Sequence, residues 1–155
     1  MKNNAIFVLA LIMLSLLTLG SAQIVESKTA SVDTNGTDIL RGWNQFVENI
    51  NSSSDVLDRA IHGNISSEDA MALTTTLFVL NSQALSDLAQ IKPSEKHAKF
   101  QNYTMNGMIY FDRYLINMAK YFETKDGRYV LLARDYFNKS QVYYAQGRDE
   151  AEFLY

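Results

Sequence analysis

The chain has 155 residues, a formal charge of −3 and no cysteine, a length suited to one domain with its own core. Mild acidity without any lysine–arginine cluster excludes nucleic acid as a partner, which wants a basic face. The missing thiols exclude disulfide staples, thiolate metal sites, thiol catalysis, c-type haem attachment and an exported lipid-modified cysteine, so stability rests on apolar burial.

Residues 1–22 read as a signal peptide. Lys2 sits in a short polar cap, an apolar run follows over residues 5–19, and Gly20-Ser21-Ala22 is small where a signal peptidase reads, before polar Gln23. The apolar run is short for a membrane span. An uncleaved anchor is the alternative, because residues 20–25 are only weakly polar; the membrane would then be engaged through this segment alone. Residues 23–36 are polar, aperiodic and without aromatics, and read as a flexible tether.

Residues 37–155 predict a four-helix bundle, with helices over about 38–62, 67–91, 94–124 and 128–146. In the first, Thr37 is the expected N-cap and Asp38 suits the first turn. Its seam of Ile39, Trp43, Phe46, Ile50, Ser53, Leu57 and Ala60 alternates four and three apart. Ser52-Ser53-Ser54 could split this helix, but the seam keeps its phase across the serines. His62-Gly63-Asn64 is the stop, and Ser66 or Ser67 the next cap. The second helix presents Ala70, Leu73, Leu77, Leu80, Ala84, Leu88 and Ile91, and the lone proline, Pro93, ends it.

Ser94-Glu95 is expected to open the third helix, whose seam is Thr104, Met108, Phe111, Leu115, Met118 and Phe122; Lys125-Asp126-Gly127 closes it. The fourth should bury Leu132, Ala133, Tyr136, Phe137 and Tyr144 and end near Gly147. Four amphipathic helices on short links have one economical arrangement, the antiparallel up-down-up-down bundle. The run Leu85-Ser86-Asp87-Leu88-Ala89-Gln90-Ile91-Lys92-Pro93, followed by Glu95, His97 and Phe100, resembles helix–proline–helix turns of uncharacterised exported helical proteins from archaea and bacteria. The resemblance spans about 25 residues, implies packed antiparallel helices and transfers no catalytic residue. The leading lipid-modified cysteine usual there is absent.

Five Asn-X-Ser/Thr triplets, at Asn35, Asn51, Asn64, Asn102 and Asn138, exceed the one or two expected by chance. Each falls on a polar face, in the tether or in a link, where a glycan has room. The alternative is ordinary surface asparagine in a host that never modifies it. Many sequons without cysteine fit an archaeal cell envelope better than a eukaryotic secretory route.

All nine tyrosines lie beyond Asn102. Tyr103, Tyr110, Tyr114 and Tyr121 recur at sevens and fours on the third helix, and Tyr129, Tyr136 and Tyr143 every seven on the fourth. Gly107, costly in a helix interior by about 1 kcal/mol, shares the stripe. Tyr103, Gly107, Tyr110 and Tyr114 thus form a candidate contact surface, a notch with aromatic walls for a sugar ring, a peptide side chain or another helix. The plainer reading is tyrosines at a core edge that bury rings and keep hydroxyls wet. Counting turns also brings Ser53, Thr74, Tyr110 and Gln141 level, a candidate interior polar layer.

Catalysis and metal binding find little support. Gly-x-Ser-x-Gly, phosphate-loop and dinucleotide motifs are missing, and so are Glu-x-x-His and His-Glu-x-x-His. His62 and His97 flank the second helix, about 35 Å apart; His97 with Met105 or Met108 remains formally open as an axial pair. The expected protein is therefore a non-catalytic interaction or structural module of the envelope, binding an envelope protein or glycan, with no cofactor and no metal. The alternative is a carrier holding a small ligand in the bundle interior.

Overall fold

A computed structural model describes residues 34–155. The expected signal peptide and residues 23–33 of the expected tether lie outside the described residues. Four helices follow one another: α1 (Thr34–Ile61), α2 (Ser67–Gln90), α3 (Ala98–Thr124) and α4 (Gly127–Leu154), with no strand among the described residues. The fold is all-α.

Helix ends differ from the local expectation where tertiary contacts intervene. α1 starts before Thr37, at Thr34, because its first turn is docked. Asn35 Nδ2 donates to the Lys92 carbonyl (3.1 Å), and the Tyr155 hydroxyl donates to the Gly36 carbonyl (2.7 Å). Residues 34–36 of the expected tether therefore belong to the helix. Through the serine run α1 stays unbroken, Ser53 Oγ donating to the Ile50 carbonyl at 2.9 Å. Ser66 is the cap of α2, in a reciprocal capping box with Asp69.

α3 opens at Ala98, later than Ser94, whose carbonyl closes a turn by accepting from the His97 and Ala98 N–H groups at 3.0 Å. Lys125 ends α3 in the left-handed region (φ 58°), and Asp126 caps α4, accepting from the Arg128 N–H. α4 runs past Gly147 to Leu154 because Ala151 and Gly147 are buried on its inner face.

The expected seams of α1 and α3 are the core. Trp43, Phe46, Phe111, Leu115, Phe137 and Ala133 meet in one cluster with Ile39, Leu57 and Met108. Full burial of such a side chain contributes about 1.5–3 kcal/mol. α2 is rotated from expectation: Ala70, Thr74, Leu77, Asn81 and Leu88 face inward, while Leu73 and Leu80 stay 37% and 48% exposed. Asn81 is drawn in by polar partners on α3, and Thr74 satisfies its hydroxyl on the Ala70 carbonyl. On α4, Leu132 is outside (45% exposed), and Val130 and Ser140 are inside.

The start of α1, the end of α2, the start of α3 and the end of α4 gather at one end of the molecule, where the His97 and Tyr155 rings stack at 6.0 Å. At the other end Leu57, Ile61, Ser67, Tyr121 and Lys125 line a small cleft. α3 packs most closely on α4 and α2, whereas α1 stands off from α4, with aromatic rings between them.

Candidate functional site

The expected tyrosine stripe divides in two. Tyr114 is interior, 1% exposed, between Phe111 (5.3 Å) and Phe137 (5.1 Å). Burial pushes its phenol up to about 12, with a hydrogen bond to Ser53 acting the other way. Gly107 is interior too. A Cβ there would lie 2.8 Å from Phe46 Cε1, and its carbonyl accepts from Ser140 Oγ at 2.9 Å. The notch expected on the surface is thus filled from within by Phe46, and Gly107 and Tyr114 belong to the core rather than to a contact surface.

Tyr103 and Tyr110 remain half-buried along the groove between α3 and α4. Here the sevenfold tyrosines of α4 meet them. The Tyr110 and Tyr143 rings stack at 5.6 Å and 11°. Lys139 Nζ lies over both Tyr110 (5.7 Å) and Tyr136 (5.6 Å), Lys99 over Tyr103 (5.8 Å) and Lys120 over Tyr129 (5.6 Å). Lys99 also pairs with Glu150 at 3.1 Å, which holds its ammonium above the ordinary lysine value. These rings sit at the core edge because period seven keeps them beside the seam without entering it.

The electrostatics of the α3 side of the groove follow from one withdrawn acid. Within residues 96–122 the only acidic residue is Asp112. It turns away toward α2, where Asn81 Nδ2 (2.8 Å) and Ser82 Oγ (2.9 Å) donate to it. Burial raises its carboxyl pKa, and those two donors and Arg113 oppose the rise. At the Tyr103 end Asp149 and Glu150 of α4 join Lys99 in lining the groove, and beyond it lysines and phenol rings remain; rings of this kind stack on apolar or planar faces, and the ammonium groups attract acids.

The expected polar layer does not form as one unit. Ser53 and Thr74 are buried and each donates to a carbonyl of its own helix, and Tyr110 lies in the groove. Gln141 is half-buried, with Nε2 and Oε1 both enclosed and without a partner in the chain. Ser53 meets Tyr114, not Tyr110.

The polar core that does exist uses residues the sequence reading passed over: Asn49, Asn81, Gln101 and Ser140. Gln101 Nε2 donates to the Leu88 and Ile91 carbonyls at 2.8 Å each, capping the end of α2, and Asn81 Nδ2 also donates to the Met108 carbonyl. Gly42 lies against Leu88, and Val56 shares a cleft with Leu73 and Leu77. Asn49, two turns after Gly42, and Asn81, two turns before Leu88, therefore come level between α1 and α2. Asn49 Nδ2 and Asn81 Oδ1, a donor and an acceptor, are both buried without a partner in the chain. The spacing 70, 74, 77, 81, 88 was the sequence sign of this face; its polar members hid it.

Asn35, Asn51, Asn64, Asn102 and Asn138 are all exposed. His62 Nδ1 lies 2.9 Å from the Asp58 carbonyl at the end of α1, and His97, buried at the opposite end, lies 2.9 Å from Ser94 Oγ. Met108 is in the core and Met105 packs against it. Among the described residues no three His, Asp or Glu side chains group as metal ligands, and no helix is long and apolar enough to cross a membrane. Comparison of the chain with protein-family models, with curated proteins and with solved structures gives no match.

Proposed function

We propose that the protein is an exported, glycosylated interaction module of a cell envelope that makes contact through the groove between α3 and α4. It is an antiparallel, up-down-up-down bundle behind a cleavable signal peptide and a short tether. The observation that carries this reading is the row of half-buried rings, Tyr103, Tyr110, Tyr143, Tyr136 and Tyr129, with lysine ammonium groups lying over all of them but Tyr143. Such rings offer rigid contact area with little side-chain entropy to lose, and the lysines bring charge to the same face. Rings and ammonium groups bind; they do not supply a nucleophile beside a base. Five exposed sequons and the Pro93 turn, with its resemblance to exported helical proteins, favour the same setting.

A carrier using the bundle interior needs space there, and Phe46 and Trp43 occupy the room beside Gly107 and Gly147. Co-sedimentation with envelope prepared from the source cells tests the contact surface. With each ring worth about 0.5–1.5 kcal/mol, Tyr110→Ala with Tyr143→Ala should weaken retention by about tenfold at unchanged helicity. Equal retention of both forms counts against the groove.

A further inference from the structure

We infer that the occupant of the α3/α4 groove is a linear acidic polysaccharide, an inference that rests on the groove being the contact surface. Three features of the groove point to this class. Charge is the first. In a chain of net −3, Lys99, Lys120 and Lys139 lie over groove tyrosines, and the one acid within residues 96–122, Asp112, is tied up on the α2 side. Below the end where Glu150 and Asp149 stand beside Lys99, the groove carries Tyr110, Tyr143, Lys139, Tyr136, Lys120 and Tyr129, none of them acidic. An acidic ligand meets an attractive face there on an otherwise acidic molecule.

Spacing is the second. Lys99 pairs with Glu150, Gly107 carries Ser140, and Tyr114 packs on Phe137. In that register Tyr143 falls level with Gly107, Tyr136 with Tyr114 and Tyr129 with Tyr121. The groove rings then succeed one another every one to two turns of α3, about 5–11 Å apart, along a line of about 27 Å. A repeating chain of six-membered rings presents stacking faces and acid groups in such an alternation; a folded protein surface or a single small molecule does not need one.

Hydrogen-bonding chemistry is the third. The groove walls add Asn106 and Asn117, whose Nδ2 groups donate to the Asn102 and Arg113 carbonyls and leave their amide oxygens to accept. Wet phenols, amide oxygens and ammonium groups match a ligand rich in hydroxyls and carboxylates or sulfates. A peptide helix would call for a deep aliphatic trough. The cation–π pairs also place each ammonium group beside a stacking face before any ligand arrives, so that one sugar residue can meet both.

The test is calorimetric titration of the chain, purified from its host, with four probes: polygalacturonate, dextran sulfate, neutral dextran and polyglutamate. Saturable binding is expected for at least one of the two acidic polysaccharides, at least about tenfold tighter than for dextran or polyglutamate, and weakened by salt. Lys139→Gln should weaken it about threefold or more and Tyr110→Ala about fivefold or more, while Arg59→Gln, on α1, leaves it unchanged. Binding of neither acidic polysaccharide overturns the inference, as does equal binding of dextran or polyglutamate, or indifference to both groove variants. If the Tyr110→Ala, Tyr143→Ala protein loses envelope retention while the acidic polysaccharides do not bind, the contact surface stands and the polysaccharide falls. If retention is unchanged in that variant, the contact surface itself falls.

Discussion

Gly147 lies under the Trp43 ring, and a Cβ there would come within 2.6 Å of Trp43 Cζ3. The indole cannot easily withdraw, because it stacks on Tyr144 at 5.2 Å and leans on Phe100 at 5.6 Å. Overpacking costs about 1–3 kcal/mol, against about 1 kcal/mol that alanine gains in a helix. Gly147→Ala should therefore lower the urea midpoint of unfolding, and a midpoint at or above wild type would show that Trp43 has room to move.

Asp112 is the other telling single residue. Burial holds its carboxyl above the ordinary 3.8, offset in part by Asn81 and Ser82. Between pH 3.8 and the raised native value the folded state keeps a proton that the unfolded chain has released, so wild-type stability falls as pH rises through that window. Asp112→Asn has no such proton and keeps an oxygen for Asn81. Its stability relative to wild type should climb across the window in chemical unfolding at a series of pH values; parallel profiles would remove the effect. Neither residue could be placed from the chain alone. Gly107 was visible as an anomaly on a tyrosine stripe, yet the ring that explains it, Phe46, comes from a different helix.

Among the helices, α1 and α3 were the most legible, since their large apolar side chains recur without competition. α2 offered two stripes with similar spacing, a leucine-rich one through Leu73 and Leu80 and a mixed one through Thr74 and Asn81. Hydrophobicity favours the first; the Met108 carbonyl and Asp112 on α3 select the second. Helix ends were displaced for the same reason, with Tyr155 and Lys92 holding a first turn of α1 that no local cap announces.

Asn49 and Asn81 come level between α1 and α2, each buried with one unpartnered amide atom. Asn81→Ala should cost about 1–3 kcal/mol, because Met108 and Asp112 each lose a donor. A double-mutant cycle with Asn49→Ala should return a coupling of about 0.5–3 kcal/mol. Simple additivity of the two changes would mean that the two amides do not sense each other.

For the molecule as a whole, fold class was readable because a cysteine-free chain with four apolar seams leaves few other ways to bury them. The groove was readable in part: tyrosine period seven located it, but only packing could show that Tyr143, Tyr136 and Lys139 complete it while Tyr114 leaves it. The proposed envelope setting makes a prediction at this scale. Protein made by its natural host should have an intact mass above that of the bare chain beginning at Gln23, in steps of sugar residues, and enzymatic or chemical deglycosylation should collapse it. An intact mass equal to the bare chain would remove the glycans.

The stand-off between α1 and α4 has an optical corollary. Trp43 is the sole tryptophan, and it is wedged fully buried in the space between those two helices, against Tyr144 of α4 and Phe100 of α3. Its emission therefore reports the docking of α1, while far-ultraviolet dichroism reports helix content wherever it resides. A shift of the indole band to longer wavelength that precedes loss of ellipticity would mark α1 swinging away from a still-helical remainder, a partial opening that the chain can signal without any added label.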